Sequence, residues 1–286
     1  MTDLDDFTIT IVGLGLMGGS LGGALRGQCR VVVGVARRPE TVERALARGL
    51  IDRGTTDLAD GVATADVVVL ATPVRVILDL IPQIGPLLPE GCLLMDLGST
   101  KTHVVRAMQR LPAHVQPLGG HPMCGKEVSG IAAADPALYR GCTFILSPLA
   151  HTSERAMALG QALARAAGAH PLVLDAGRQD FLVGTVSHLP YLLACALVST
   201  ADATTSADPA AWQIVASGFR DTSRVAGSDV TMMLDILMTN REDILKALEH
   251  FDAALHKLYH LVESSDEQNL RMTLDVIREK RREMFP

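Results

Sequence analysis

The stretch Thr8–Gly18, TITIVGLGLMG, decides the fold. Thr8–Val12 is apolar or β-branched without alternation, the pattern of a strand covered on both faces. Gly13, Gly15 and Gly18 then form G-x-G-x-x-G, and a helical pattern runs on to Arg26. Strand, glycine turn and helix in that order make a dinucleotide cradle. Gly13 permits the tight turn, Gly15 lets backbone N–H groups reach a pyrophosphate, and Gly18 lets the helix lie against the strand. Leu16 and Met17, inside the motif, belong to the same cofactor site. The alternative is a plain packing turn. Gly19, Gly22 and Gly23, which let the helix lie close to the sheet, count against that alternative.

Working outward, Val31–Val35, Val67–Ala71 and Leu93–Asp96 read as further buried strands. Thr41–Arg48 reads as a helix ended by Gly49, and Thr72-Pro73 closes the third strand at the cofactor side. Thr143–Leu146 and Leu172–Leu174 are later strand candidates, with a helix over Ser153–Ala167 capped by Gly168. After Asp175 the strand runs stop. Helices are expected over Phe181–Ala203, around Trp212–Ser217, and over Asp229–Thr239, Arg241–Val262 and Asp266–Arg282. Pro190 lies inside the first of these and is expected to kink it. The fold class is therefore α/β, with an N-terminal Rossmann-type, mostly parallel sheet over 1–175. A C-terminal all-helical domain over 176–286 binds substrate and dimerises, and substrate lies in the cleft between the two.

Composition narrows the partners. A net charge of −6 disfavours nucleic acid and anionic membranes, which need a basic face. Aromatic residues are only 3 %, so the core must be built from Ala, Val, Leu, Ile and Met. Cys29, Cys92, Cys124, Cys142 and Cys195 are scattered without a C-x-x-C pair, as in a reduced cytoplasmic protein with no metal site. The acidic start MTDLDDF has no apolar core of a signal peptide. Pro73, Pro82, Pro86 and Pro89 break the longest apolar runs, so no membrane span is expected.

The second strand runs into GVARRPE. An NAD site would end that strand with Asp or Glu for the ribose 2′-hydroxyl, but Ala36 stands there, followed by Arg37 and Arg38. Two guanidinium groups suit a 2′-phosphate, which favours NADP+ and leaves NAD+ possible. The alternative keeps both arginines solvated and makes Glu40 the ribose ligand.

Gly119–Gly130, GGHPMCGKEVSG, reads as a glycine-flanked loop carrying His121. Alone, such a histidine reads as structural, held by backbone hydrogen bonds. It stands in order with GLGLMGGSL, DLGSTK (Asp96–Lys101), SHLPYLLACAL (Ser187–Leu197) and GFRDTSRVAGSD (Gly218–Asp229). Together these motifs resemble the prephenate/arogenate (cyclohexadienyl) dehydrogenases of tyrosine biosynthesis, over nearly the whole chain. The resemblance implies oxidative decarboxylation: hydride leaves C4 of the ring, CO2 leaves C1, and the ring becomes aromatic. His121 would be the base that withdraws the C4 hydroxyl proton, and Ser99 would orient that hydroxyl, unless it is only a helix N-cap.

Prephenate carries two carboxylates. Arg224 matches the family's carboxylate-binding arginine, against the plainer reading of a surface pair with Asp221. Lys101 would steady the nicotinamide side or the substrate's negative charge. Glu127 and Arg220 would form a charged rim, with Arg220 placed to reach a neighbouring subunit's site. His188 matches the first histidine of the family's H-L-P-H, whereas Tyr191 replaces the second and Met233 replaces a tryptophan of some relatives. With nothing appended after Pro286, feedback by tyrosine would act by competition at the substrate site. The expected assembly is a homodimer through interdigitated helices.

Blander readings remain for the rest. His256 and His260 have helical spacing but no third metal ligand, Trp212 is expected to pack within the helical domain, and Cys124 to fill space. One rival is a 3-hydroxyacid or 6-phosphogluconate type of dehydrogenase, with a catalytic lysine on a second-domain helix. Only Lys246 and Lys257 lie between Arg178 and Arg271, and both read as solvated. A non-catalytic NADP-binding sensor is the rival of another class, and it leaves His121, Ser99 and Arg224 without a use.

Overall fold

The computed structural model describes residues 3–208 and 210–285. One sheet contains β1 (Thr8–Val12), β2 (Val31–Val35), β3 (Arg53–Thr55), β4 (Val67–Leu70), β5 (Leu93–Asp96), β6 (Gln116–Pro122), β7 (Thr143–Pro148) and β8 (His170–Val173). Their order is β3-β2-β1-β4-β5-β6-β7-β8. Every neighbouring pair is parallel except β6 and β7, where His121 faces Ile145 across an antiparallel ladder.

Alternation explains the double burial. Ile9, Ile11, Val67, Val69, Leu93 and Met95 point to one core, against α1 (Leu16–Leu25) and α6 (Glu154–Ala166). Val12, Val68, Leu70 and Leu94 point to the other, against α4 (Val74–Ile84) and α5 (Thr102–Met108). The remaining helices of this half are α2 (Pro39–Ala47) and α3 (Leu58–Val62). The chain reverses direction across the sheet between β1 and β4. The carboxyl ends of these two strands therefore part, leaving a crevice beside Gly13 and Thr72.

β3 and β6, together with α3, α4 and α5, are additions to the sequence reading. β3 is a three-residue edge strand, too short and polar to show a pattern. β6 contains Gly119 and Gly120, which looked like loop residues, yet both are buried strand positions. A Cβ on Gly120 would lie 2.4 Å from the Asp96 backbone oxygen, and one on Gly119 would crowd Lys101 and Ser147 at 3.2 Å. The glycines admit close neighbours; they do not loosen a loop.

Beyond β8 the chain is helical: α7 (Ala176–Val183), α8 (Leu189–Thr205), α9 (Ser217–Ser223), α10 (Val230–Thr239), α11 (Arg241–Glu263) and α12 (Glu267–Met284). α7 and α8 are continuous through a wide π turn at Gly184–His188. Pro190 lacks an N–H and crowds the carbonyl one turn earlier, and the π turn takes up that misfit just before it. Around Trp212 only a 3₁₀ turn, Ala211–Gln213, replaces the expected helix, and Trp212 is 47 % exposed, edge-on to Phe219.

Pro73, Pro82, Pro86 and Pro89 break the apolar runs of the first half, but Ala176–Thr205 forms one long apolar helix despite Pro190. An 18-residue window of this 30-residue helix has a mean hydropathy of 1.8, which makes it long and apolar enough, by those measures, to cross a membrane. Core helices pass the same test.

Candidate active site

A cavity of about 600 Å³ opens where the carboxyl ends of the central strands meet α8 and α10. Its cofactor side is the turn after β1. Gly13 has φ +104 and donates its N–H to Val35 at 2.9 Å. A Cβ on Gly18 would lie 1.9 Å from the Gly13 oxygen, so only glycine lets α1 start this close to the strand. Gly15 is the N-cap, with open space where its Cβ would be and no side chain capping the helix. The first N–H groups of α1 thus face the cavity unpaired, an anion site at a positive helix end.

Leu16, Met17, Thr72 and Pro73 line the same wall, and the buried Thr72 hydroxyl has no partner among the described residues. This wall fits the pyrophosphate of a dinucleotide. Arg37 and Arg38 lie exposed just past β2, beside the half-buried Ala36.

The opposite wall carries a polar network. Asp180, on α7, accepts N–H bonds from Lys101 and Thr102, each at 2.7 Å, and so caps α5 from a distance. Ser99 is therefore not the N-cap: it sits in the β5–α5 connection and lines the cavity. Gln179 donates its amide N–H to Asp180 Oδ1 at 2.8 Å and to the Ser99 carbonyl at 3.4 Å. Its Oε1 lies 3.1 Å from His121 Nδ1. Burial foremost, then the Lys101 charge, lowers the His121 pKa to about 3, so its imidazole is neutral. His188, 1 % exposed in the π turn, is pushed down to about 4 by burial. Asn240 donates to the Asp180 carbonyl at 2.8 Å and meets His188 Nδ1 at 3.1 Å.

One expected ligand contact is redirected, and another side chain is held by a partner within the chain. Lys101 is fully buried, and its ammonium pairs with Asp96, which also accepts the Gly98 and Gly120 N–H groups. Burial pushes the Asp96 carboxyl up, and Lys101 with those N–H groups opposes the shift. Lys101 therefore ties the β5–α5 connection to β6 and does not line the cavity. Arg224 pairs with Glu127 at the cavity mouth, not with Asp221. Arg220 is exposed and outside the cavity wall.

Met233 and Tyr191 line the cavity, and burial raises the Cys124 thiol to about 12, consistent with packing. The sequence reading did not assign Gln179, Asp180 or Asn240. Two of them adjoin in RQDF before the apolar helix, but nothing there shows that they reach Ser99 and His121. A smaller hollow of about 250 Å³, between Asp66, Glu90 and Arg155, lies at the amino ends of the central strands, away from these residues.

A glycine turn with an open helix N-terminus, facing a buried histidine across one cavity, fits a nicotinamide-dependent dehydrogenase with a helical second half. Residues 21–173 match the family described as "Prephenate dehydrogenase, nucleotide-binding domain", and residues 175–276 match "Prephenate dehydrogenase, dimerization domain". Prephenate dehydrogenase of Bacillus subtilis is 33 % identical, over 92 % of this chain and 72 % of its own length. Cyclohexadienyl dehydrogenase of Zymomonas mobilis is 34 % identical, over 90 % of this chain and 89 % of its own. A crystal structure of prephenate dehydrogenase from A. aeolicus, in complex with hydroxyphenyl propionate and NAD+, superposes with a TM-score of 0.91. It is 31 % identical and covers 99 % of this chain and 100 % of that one. The chain belongs to the prephenate dehydrogenase family, and it is an oxidoreductase that uses a nicotinamide cofactor.

Proposed function

We propose that this protein performs the NAD(P)-dependent oxidative decarboxylation of prephenate or arogenate in tyrosine biosynthesis, with His121 as the base. The observation that carries the reading is the neutral His121 imidazole on the cavity wall, opposite the glycine turn. Its Nε2 takes the C4 hydroxyl proton, which makes hydride loss from that carbon easier. A bound nicotinamide cofactor supplies the hydride acceptor. Ser99 orients the same hydroxyl from the β5–α5 connection, and His188 contacts the substrate from the π turn. The exposed Arg224–Glu127 pair is weak, so a substrate carboxylate can take Glu127's place on the guanidinium.

The test is cofactor reduction with prephenate and with arogenate, each paired with NAD+ and NADP+. His121→Asn is expected to lower kcat by about 10²–10⁴ with cofactor affinity retained. An unchanged kcat would sink the base assignment. The Ala36-Arg37-Arg38 edge supports NADP+ over NAD+, because the acid that would repel a 2′-phosphate is missing. The double change Arg37→Asp, Arg38→Ala should move preference toward NAD+; retained NADP+ preference means that another group holds the phosphate.

The division at 175/176 separates the cofactor domain from a helical domain that dimerises. It is supported by the end of the sheet at Val173 and by α12, which buries none of its residues within one chain. The assembly is a homodimer in the cytoplasm, with Arg220 reaching toward the neighbouring subunit's site.

A further inference from the structure

Two histidines face the cavity, and their unbonded Nε2 atoms are not chemically equivalent. The difference can be traced to acceptors that have no choice. The Ser99 carbonyl only accepts hydrogen bonds, and so does the Asp180 carboxylate in its ionised form, so Gln179 must present Nε2–H to them. That turns Gln179 Oε1 toward His121, and His121 Nδ1 must carry the proton to bond it. His121 Nε2 is then left as a lone pair. On the other side the Asp180 backbone carbonyl forces Asn240 to present Nδ2–H, which also meets His188 Nδ1. His188 Nδ1 must accept, so its Nε2 carries the proton. That Nε2–H is buried with no partner among the described residues. An orphaned buried donor is costly unless a ligand satisfies it.

We propose that Asp180, acting through Gln179 and Asn240, holds His121 and His188 in opposite tautomers: a proton acceptor and a proton donor facing one substrate. One residue sets both because its carboxylate orients the Gln179 amide while its carbonyl orients the Asn240 amide. The same carboxylate caps α5 through the Lys101 and Thr102 N–H groups, which fixes Asp180 itself. Gln179, Asp180 and Asn240 are positioning residues. His188 Nε2–H is the contact they prepare for a substrate oxygen, a carboxylate or the C4 hydroxyl. The low basicity of both rings keeps each in a single neutral form for the network to select, with Lys101 as the charged group that acts on His121 and His188 as its titratable neighbour. The catalytic use of the device rests on the reading of His121 as base; the tautomers themselves do not.

Long-range ¹⁵N–¹H correlation spectra of the full-length protein labelled with [¹⁵N]histidine read the tautomers directly, with His121→Asn and His188→Asn identifying the two rings. The wild-type protein at neutral pH should show His121 protonated at Nδ1 and His188 at Nε2. The reverse state at either ring overturns the proposal, whatever the kinetics show. Gln179→Met removes the acceptor at similar size. It should give mixed tautomers at His121 and a kcat lower by about 10–100-fold, with a smaller change in KM. Gln179→Glu keeps an acceptor toward His121 and should retain the Nδ1–H form, but its carboxylate meets the Asp180 carboxylate and the Ser99 carbonyl without a donor, so kcat should recover only in part. Wild-type tautomer and kcat in Gln179→Met would also overturn the proposal. If His121→Asn keeps its turnover while the spectra show the stated tautomers, only the base assignment falls.

Discussion

The sheet and the helices after it treat their apolar residues in opposite ways. Along β1, β4 and β5 every residue is buried, because alternate side chains enter two separate cores within the same chain. In α11 only Ile244 and Ala247 are buried, and in α12 no residue is. Most of the exposed large hydrophobic residues lie beyond residue 175, among them Val186, Ile214, Val230, Val262 and Val276. The first half completes its own core. The second leaves many large apolar side chains exposed in one chain, so its stability is expected to depend on another copy.

The sharpest way to break this comparison is to charge the helical faces. Val262→Asp with Val276→Asp removes two residues that are 65 % and 70 % exposed in one chain, so a stable monomer would hardly notice. If those faces are paired, the double variant should weaken association by about 2–4 kcal/mol and sediment as a monomer. An unchanged mass would put the interface elsewhere.

In the sheet half, a smaller change should suffice. Gly18→Ala forces a Cβ against the Gly13 oxygen and should cost about 1–3 kcal/mol of stability, with loss of cofactor binding. A protein of wild-type Tm and cofactor affinity would show that the turn has room to move.

The smallest effect concerns the seam between the halves. His121 and His188 stay neutral when folded but gain protons near pH 6.5 when unfolded, so the unfolded state binds more protons as pH falls. Stability is therefore full above about pH 6.5 and declines below it, until the folded-state values of about 3 and 4 are reached. Between pH 7 and 6 the two rings together should cost about 1 kcal/mol. Melting curves of wild type and of the two single His→Asn variants measure it, and each variant should flatten the slope.

Much of the sheet half was legible because its signals are local. Gly13, Gly15 and Gly18 adjoin the strand they serve, and the runs at Val31, Val67 and Leu93 are long enough to read. β6 was not legible, since Gly119 and Gly120 in a loop and in a crowded strand look the same until Asp96 and Lys101 are beside them. Lys101 shows the same limit. Its motif marked it as important, but its partner Asp96 lies across a turn, and a buried ion pair cannot be told from a ligand contact by spacing. His121 and Ser99 both line the cavity, and Arg224 pairs with Glu127 and not with Asp221, the plainer alternative that the sequence offered.

The sequence by itself determined the cofactor turn, the parallel sheet, the all-helical second half and the family, because period, glycine spacing and motif order are written along the chain. Only the tertiary structure decided which protons the cavity histidines carry. That depends on Gln179, Asp180 and Asn240 meeting Ser99, His121 and His188 from distant positions, and a tautomer follows from the partners a ring nitrogen finds in space.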